Sequence, residues 1–273
     1  MDIPKSSKCT DLIYKKTNAK DLMLTFLPPI VEKYEKAPIY FIIPGGGWHV
    51  GERQSMIDFS AESVNMLRNN GFAVVSIDYR LCGDRAVMRE IIGDCFDALT
   101  YIAHFADVLK IDRERIALSG HSAGAHLALM LAYAPREIFA SGCEFDDRFA
   151  VKAVAVMSAP TILYDTDTHA LRDLDEVFIG CNTKEEKSKT SPISYATDTC
   201  PPTLLCAGTG DYLVFGTSSE RMYEALKQCN VDCELILSEN GGHCFEKIYK
   251  ELEPSVSMTD IQRYIEEFII KYV

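Results

Sequence analysis

The stretch RIALSGHSAGAHLALMLAY at residues 115–133 decides the fold of this 273-residue chain. Its first part, RIALSG, is a short apolar run that is typical of a buried strand. Its last part, HLALMLAY, is apolar on nearly every side, which is typical of a helix buried in a core. Ser122 lies between them, flanked by Gly120 and Gly124. The stretch therefore predicts a strand, a sharp turn and a helix in direct succession.

Similar apolar runs recur along the chain. They lie at 39–43 (IYFII), 72–78 (FAVVSID), 151–158 (VKAVAVMS), 203–208 (TLLCAG) and 233–239 (CELILSE). Amphipathic stretches alternate with them, at 57–69, 90–107, 123–133, 216–229 and 259–272. Because strands buried on both faces are apolar throughout, this alternation predicts an α/β fold, with a mostly parallel, twisted sheet and helices on both faces.

Two segments depart from this alternation. The stretch DLIYKKTNAKDLMLTF at 11–26 predicts an antiparallel hairpin at the sheet edge, with its turn at 17–19. Residues 160–200 are polar, contain the charged run KEEKSK and are too long for a simple connection. They form a candidate cap or lid over the strand ends, and a solvated excursion without a catalytic part is the alternative. No linker divides the chain, so we expect a single domain over 1–273.

The composition restricts the partners of the chain. Its formal net charge of −12 disfavours nucleic acid and anionic membrane surfaces. The ten cysteines match no zinc pattern, so we expect no metal and no cofactor. No stretch is long and apolar enough to span a bilayer and no signal peptide is evident, so we expect a soluble, cytoplasmic protein. The sequence leaves open whether the chain forms a homo-oligomer.

The GHSAG motif at 120–124 predicts an exposed serine nucleophile. A G-x-S-x-G turn between a strand and a helix lifts the serine hydroxyl clear of the sheet, and the helix N-terminus directs N–H groups toward a ligand. The hydroxyl needs a base, and the base needs an acid to orient it. In this topology the order is serine, acid, histidine. His243, after the last strand, is therefore the candidate base, and Asp211, at the end of the strand 203–208, is the candidate acid.

The remaining candidate residues surround this trio. Three glycines directly follow the first buried strand, so backbone N–H groups can approach a developing oxyanion. We expect Gly46 and Gly47 to act there with the N–H of Ala123. Trp48 is a candidate for the acyl pocket, with a place in the core as the alternative. Four other histidines are expected to be structural or exposed: His104, His121, His126 and His169.

These stretches together resemble the α/β-hydrolase superfamily, and within it the small serine esterases that are hormone-sensitive-lipase-like or acetyl(xylan) esterase-like. PGGGWHVGE, SIDYRL, GHSAGAHLAL, PPTLLCAGTGDYLV and GGHCF carry the resemblance, over residues 39–245. It implies the α/β-hydrolase fold and the following roles: Ser122 as nucleophile, His243 as base, Asp211 as orienting acid, and Gly46 and Gly47 as oxyanion donors.

One position departs from the pattern of these esterases. Many relatives begin the glycine loop with histidine, as HGGG, whereas this chain has Pro44. Because proline fixes φ and donates no hydrogen bond, the loop must be held in place differently. The chain also resembles kynurenine formamidase, which has an aromatic residue near the glycines, as Trp48 is here.

The sequence thus predicts a serine carboxylesterase that hydrolyses short acyl esters, such as acetyl or butyryl esters, through an acyl-enzyme. Its partner is a small-molecule ester whose alcohol half is not fixed by one sequence. Three alternatives stay open: an arylformamidase, a peptidase with the same triad, and a non-catalytic ligand-binding relative of these hydrolases.

Overall fold

A single sheet organises the chain in a computed structural model, which describes residues 9–139, 145, 148–165, 167–169 and 183–273. The strands are β1 (Thr10–Lys16), β2 (Asp21–Leu27), β3 (Ala37–Ile43), β4 (Ala73–Ile77), β5 (Ile111–His121), β6 (Val151–Met157), β7 (Thr203–Gly208) and β8 (Cys233–Ser238). Their order across the sheet is β1-β2-β4-β3-β5-β6-β7-β8. All the strand runs that the sequence predicted are therefore present.

The strand directions confirm the predicted mostly parallel sheet. Strands β4, β3, β5, β6, β7 and β8 are parallel to one another. Strands β1 and β2 form an antiparallel hairpin. Strand β2 also pairs antiparallel with β4, which connects the hairpin to the rest of the sheet. The hairpin therefore lies at the sheet edge, as its sequence predicts.

Helices cover both faces of the sheet. Those in the described part of the chain are α1 (Arg53–Phe59), α2 (Ala61–Asn69), α3 (Met88–His104), α4 (Ala106–Leu109), α5 (Ala123–Tyr133), α6 (Arg136–Phe139), α7 (Lys184–Lys189), α8 (Gly216–Gln228) and α9 (Met258–Tyr272). None of them is long and apolar enough to cross a membrane. The predicted stretch 57–69 differs in detail, because it forms two helices that meet at Ser60 and the first begins at Arg53.

The core lies on both faces, and β3 shows why its sequence is apolar throughout. Ile39, Phe41 and Ile43 belong to the cluster packed under α3 and α5. Tyr40 and Ile42 belong to the opposite cluster, packed under α1, α2 and α9. Each fully buried side chain of this size stabilises the fold by about 1.5–3 kcal/mol. A polar residue at either set of positions would face a core.

Part of the predicted cap is fixed to α8. Thr161 donates its N–H to Ser218 Oγ at 2.9 Å and its hydroxyl to Ser218 O at 2.7 Å. Arg221 of the same helix forms a 2.5 Å ion pair with Asp165. The run KEEKSK forms α7, whereas 166 and 170–182 lie outside the described residues. A lid function for 160–200 stays a prediction.

An ion cluster ties the edge hairpin to the rest of the fold. Asp94 of α3 is fully buried and accepts hydrogen bonds from Lys15 Nζ of β1 at 2.6 Å and from Arg80 Nε at 2.8 Å. Lys15 also donates to Asp97 at 2.6 Å. Removal of the Asp94 carboxylate takes a shared buried anion from both cations and leaves Lys15 with Asp97 alone and Arg80 with Glu90 alone.

We expect Asp94→Ala to lower the free energy of unfolding by about 3–5 kcal/mol, because a buried ion pair loses its anion. The control is Asp107→Ala, which breaks the exposed Lys36–Asp107 pair and should cost less than about 1 kcal/mol. Urea unfolding followed by circular dichroism measures both. Equal costs for the two variants would contradict this account of the cluster.

Candidate active site

Ser122 occupies a strained turn between β5 and α5. Its φ of 56° and ψ of −120° lie in a region that costs a non-glycine residue about 1–3 kcal/mol. The Ser122 N–H donates to Met157 O at the end of β6, at 2.9 Å. Helix α5 begins at the next residue, Ala123, whose N–H has no acceptor within the helix. The hydroxyl thus stands at the carboxyl ends of the strands, beside a helix N-terminus.

The two glycines of the motif permit this turn by close packing. A Cβ at Gly120 would lie 2.4 Å from the Gly124 carbonyl carbon. A Cβ at Gly124 would lie 2.0 Å from Ile43 O, at the end of the neighbouring strand β3. Real Cβ atoms do not approach backbone atoms so closely, so both positions require glycine. The turn and the first helical residues are therefore pressed against the sheet.

His243 and Asp211 are in direct contact. His243 Nδ1 lies 2.7 Å from Asp211 Oδ2, and the Asp211 carboxylate is fully buried. The other oxygen, Oδ1, accepts the N–H groups of Leu213 at 2.8 Å and Val214 at 3.0 Å. A carboxylate accepts, so Nδ1 carries the proton and Nε2 is left with a free lone pair. The pair therefore has the arrangement of a base oriented by an acid.

Close backbone packing brings the His243 loop over the strand ends. A Cβ at Gly208, the last residue of β7, would lie 2.2 Å from Gly241 O. The Gly210 N–H donates to the same carbonyl at 2.9 Å. The loops that carry Asp211 and His243 thus touch each other directly.

The backbone of His243 is also anchored to the serine turn. Its carbonyl accepts the Ser158 hydroxyl at 2.8 Å and His121 Nε2 at 2.9 Å. The His121 and His243 ring centroids are 4.7 Å apart. In the described part of the chain the Ser122 hydroxyl forms no hydrogen bond, so its contact with His243 Nε2 stays a prediction. Such contacts are often long in a free enzyme and shorten when substrate binds.

The sequence missed this role of His121. It predicted a structural or exposed ring, and the ring is buried, but the sequence did not indicate its contact with the His243 loop. Burial, followed by the nearby His243, lowers the pKa of His121 to about 4. Its ring is therefore neutral at physiological pH and does not repel a positive charge on His243. Its place beside Ser122 in the motif is the signal that could have indicated this contact.

The glycine loop after β3 has free donors. Gly46 and Gly47 have φ values of 115° and 60°, which L side chains rarely adopt. The Gly46 carbonyl accepts the N–H groups of His49 and Val50, both at 3.1 Å, which closes the turn. Among the backbone hydrogen bonds of the described residues, none uses the N–H of Gly46 or Gly47 as its donor. Both groups can therefore donate to a ligand.

Tyr79 helps to hold the glycine loop in place, although the loop lacks the histidine of the HGGG pattern. Its hydroxyl is buried and donates to Pro44 O at 2.8 Å. The Cys82 N–H donates to Trp48 O at 2.9 Å, at the far end of the loop. The SIDYRL stretch therefore supplies the support that a side chain at position 44 does not.

Trp48 lies in the core. It is 1% exposed, and its ring meets His126 edge-on with centroids 5.3 Å apart. His126 Nε2 donates to Thr190 O at 2.7 Å, and burial lowers the pKa of this histidine to about 4. This placement favours the core alternative for Trp48 over a place in the acyl pocket. In the part of the chain that the structure covers, no group of three or more His, Cys, Asp or Glu residues could hold a metal ion.

Comparisons with known proteins identify the family of this chain. The family model BD-FAE matches residues 25–226. The putative alpha/beta hydrolase R526 of Acanthamoeba polyphaga mimivirus is 27% identical over 72% of this chain and 58% of its own length. The non-reducing polyketide synthase ausA of Emericella nidulans is 25% identical over 77% of this chain and 12% of the synthase. The chain thus spans about an eighth of the length of this synthase.

Solved structures of one esterase share the fold. Esterase Est2 of Thermogutta terrifontis with bound propionate has a TM-score of 0.79 and 22% identity, and the match covers 98% of this chain and 96% of that one. The same esterase phosphorylated by paraoxon has a TM-score of 0.78 and 22% identity, with 96% and 94% covered. This likeness shows that the predicted α/β-hydrolase fold is correct.

We expect Gly124→Ala to lower the free energy of unfolding by at least about 2 kcal/mol, because the new methyl group would overlap the backbone of β3. Gly83→Ala is the control, since a Cβ there meets nothing within 4 Å and should change the stability by less than about 0.5 kcal/mol. Urea unfolding of both variants checks this. A Gly124→Ala protein as stable as the Gly83→Ala protein would refute the packing argument.

Proposed function

The chain belongs to the BD-FAE family, and we propose that it hydrolyses esters of short carboxylic acids with Ser122 as the nucleophile. The observation that carries the proposal is the His243–Asp211 pair, 2.7 Å apart, on a loop anchored to the residue before Ser122. Acyl transfer requires a base that is oriented by a buried acid and can reach a nucleophilic hydroxyl, and the half-buried Ser122 is the proposed source of that hydroxyl.

The proposed reaction has two halves. Ser122 Oγ attacks the ester carbonyl while His243 Nε2 accepts its proton, and His243 then donates that proton to the leaving alcohol. Water, deprotonated by the same histidine, attacks the acyl-enzyme; the bond to Ser122 Oγ breaks, the acid leaves, and His243 returns the proton to Oγ. Asp211 stabilises the imidazolium that forms in each half, because its buried carboxylate lies against Nδ1.

The oxyanion of each tetrahedral intermediate needs donors that are already in place. The N–H groups of Gly46, Gly47 and Ala123 are proposed for this role. Those of the two glycines are free of other acceptors within the described residues, and Ala123 begins α5. One donor of this kind typically contributes about 10²–10³-fold to the rate.

The relatives support this choice of reaction without fixing the substrate. Thermogutta terrifontis Est2 is an esterase whose structures include bound propionate, bound butyrate and a paraoxon adduct. Est2 shares its fold with this chain, and the chain itself belongs to the BD-FAE family, so we take ester hydrolysis as the reaction that the site supports best.

Ser122→Ala should lower kcat/KM for p-nitrophenyl acetate by at least about 10³-fold, because it removes the hydroxyl on which the proposed acyl-enzyme forms. It should also abolish labelling by a fluorophosphonate probe. Ser119→Ala, which removes another buried hydroxyl from β5, is the matched control and should keep both properties. Unchanged activity in Ser122→Ala would refute the proposal, and a wild-type protein that the probe never labels would favour a non-catalytic binding role.

We further expect kcat/KM to be highest for acetyl to butyryl esters of p-nitrophenol. The candidate cap at 160–200 is short and polar, so it offers little apolar surface to a long acyl chain. Rates for a series from acetate to dodecanoate, measured below the solubility limit of each ester, check this. A maximum at dodecanoate would contradict it.

A further inference from the structure

A cavity lies beside the glycine loop, and the reaction described so far assigns neither half of the ester to it. Its volume is about 520 Å³, and it lies between the glycine loop, α1 and the start of the loop after His243. The cavity is within the range of ligand sites, about 300–1,000 Å³. A void of about 150 Å³ already accommodates benzene. The cavity is therefore far larger than an acetyl group requires.

The position of the cavity relates it to the leaving group. His243 must donate its proton to the alcohol oxygen, so the alcohol half of the ester has to lie on the side of His243. Two cavity residues adjoin His243: Cys244 directly follows it, and the ring of His121 lies 4.7 Å from the His243 ring, centroid to centroid. Gly46, a proposed oxyanion donor, also lines the cavity.

The walls indicate the chemistry of a ligand. Phe59 and His121 form an aromatic pair with centroids 4.7 Å apart, and Met56 is buried beside them. His121 is neutral, since burial lowers its pKa to about 4. The one charged side chain among the described lining residues is the exposed carboxylate of Glu52. The neighbouring Arg53 is neutralised by its 2.6 Å ion pair with Asp78.

We propose that this cavity binds the alcohol half of the ester, and that this alcohol is apolar or aromatic and carries no negative charge. The inference rests on the proposed function. It also accounts for a large cavity in a protein proposed to take short acyl groups, because the size then belongs to the other half of the substrate.

The test uses the fact that all acetates form one acetyl-enzyme. An alcohol-site variant changes acylation, which kcat/KM reports, but leaves deacylation unaltered because the alcohol has already left. Ser55→Trp places a bulky ring at the cavity wall. Gln54→Trp is the matched control, because Gln54 is exposed on the same helix, donates to Asp58 and is not a lining residue.

We expect Ser55→Trp to lower kcat/KM for 2-naphthyl acetate by about tenfold or more, a loss of the size that poor fit in an apolar pocket produces. The same variant should change kcat/KM for ethyl acetate less than about twofold, and deacylation of the acetyl-enzyme should keep its rate. Gln54→Trp should resemble the wild type with both esters. Thermal unfolding of each variant verifies that it is folded.

The charge of the alcohol is tested separately. Glu52→Gln should raise kcat/KM for 4-acetoxybenzoate about threefold relative to phenyl acetate, because it removes a nearby negative charge. Glu52 lies at the start of α1 and is not one of the residues proposed to react. An unchanged ratio of the two rates would overturn the inferred preference against anionic alcohols.

The remaining outcomes separate the two proposals. The inference is wrong, and the cavity binds the acyl half, under the following result. Ser55→Trp slows deacylation, and its effect on kcat/KM varies with the acyl chain in esters of one phenol rather than with the alcohol in a series of acetates. If wild-type protein hydrolyses these esters but Ser55→Trp affects all of them equally, the inference also fails while the proposed function stands. If wild-type protein hydrolyses no ester and Ser122 is not labelled, both fail together.

Discussion

The backbone turn at Ser122 is the constraint on which the rest of the structure depends. A φ of 56° at a serine is unfavourable by about 1–3 kcal/mol, so surrounding contacts must impose it. They do so from both sides: β5 pairs with β3 and β6, and the helix after the turn is buried over 123–131. The apolar sequence of α5 is thus explained by its task, which is to keep a strained turn in one place.

The same turn positions the base. His121, the residue before Ser122, reaches the carbonyl of His243, and Ser158 at the end of β6 reaches it as well. Asp211, after β7, then determines the orientation of the His243 ring. The ends of three neighbouring strands therefore meet at a single histidine. This convergence follows from the parallel arrangement, because the carboxyl ends of all three strands lie at one edge of the sheet.

Much of this was predictable from the sequence, for a physical reason. Strands buried on both faces are apolar at every position, so β3 to β8 could be located, and the hairpin at 11–26 was indicated by its turn residues. The candidate triad followed from the order of motifs along the chain. The sequence could not show which way a side chain faces: Trp48 in the core, His121 against the His243 carbonyl and Tyr79 under Pro44 are all tertiary contacts.

The cavity is likewise formed by tertiary contacts that the sequence could not show. Its walls come from the glycine loop, from α1 and from the loop after β8, which are far apart along the chain. Helix α1 was predicted to begin only near residue 57, so its first turn, which forms part of the cavity wall, was not predicted. A pocket assembled from such distant pieces leaves no local pattern in the sequence.

A crystal structure of the protein inhibited by a short alkyl phosphonate would test the central claim most directly. The account predicts phosphorus bonded to Ser122 Oγ, with the phosphoryl oxygen within hydrogen-bond distance of the N–H groups of Gly46, Gly47 and Ala123. His243 Nε2 should then lie beside the leaving-group position. An adduct on a different residue, or one on Ser122 with the phosphoryl oxygen turned away from these three donors, would contradict it.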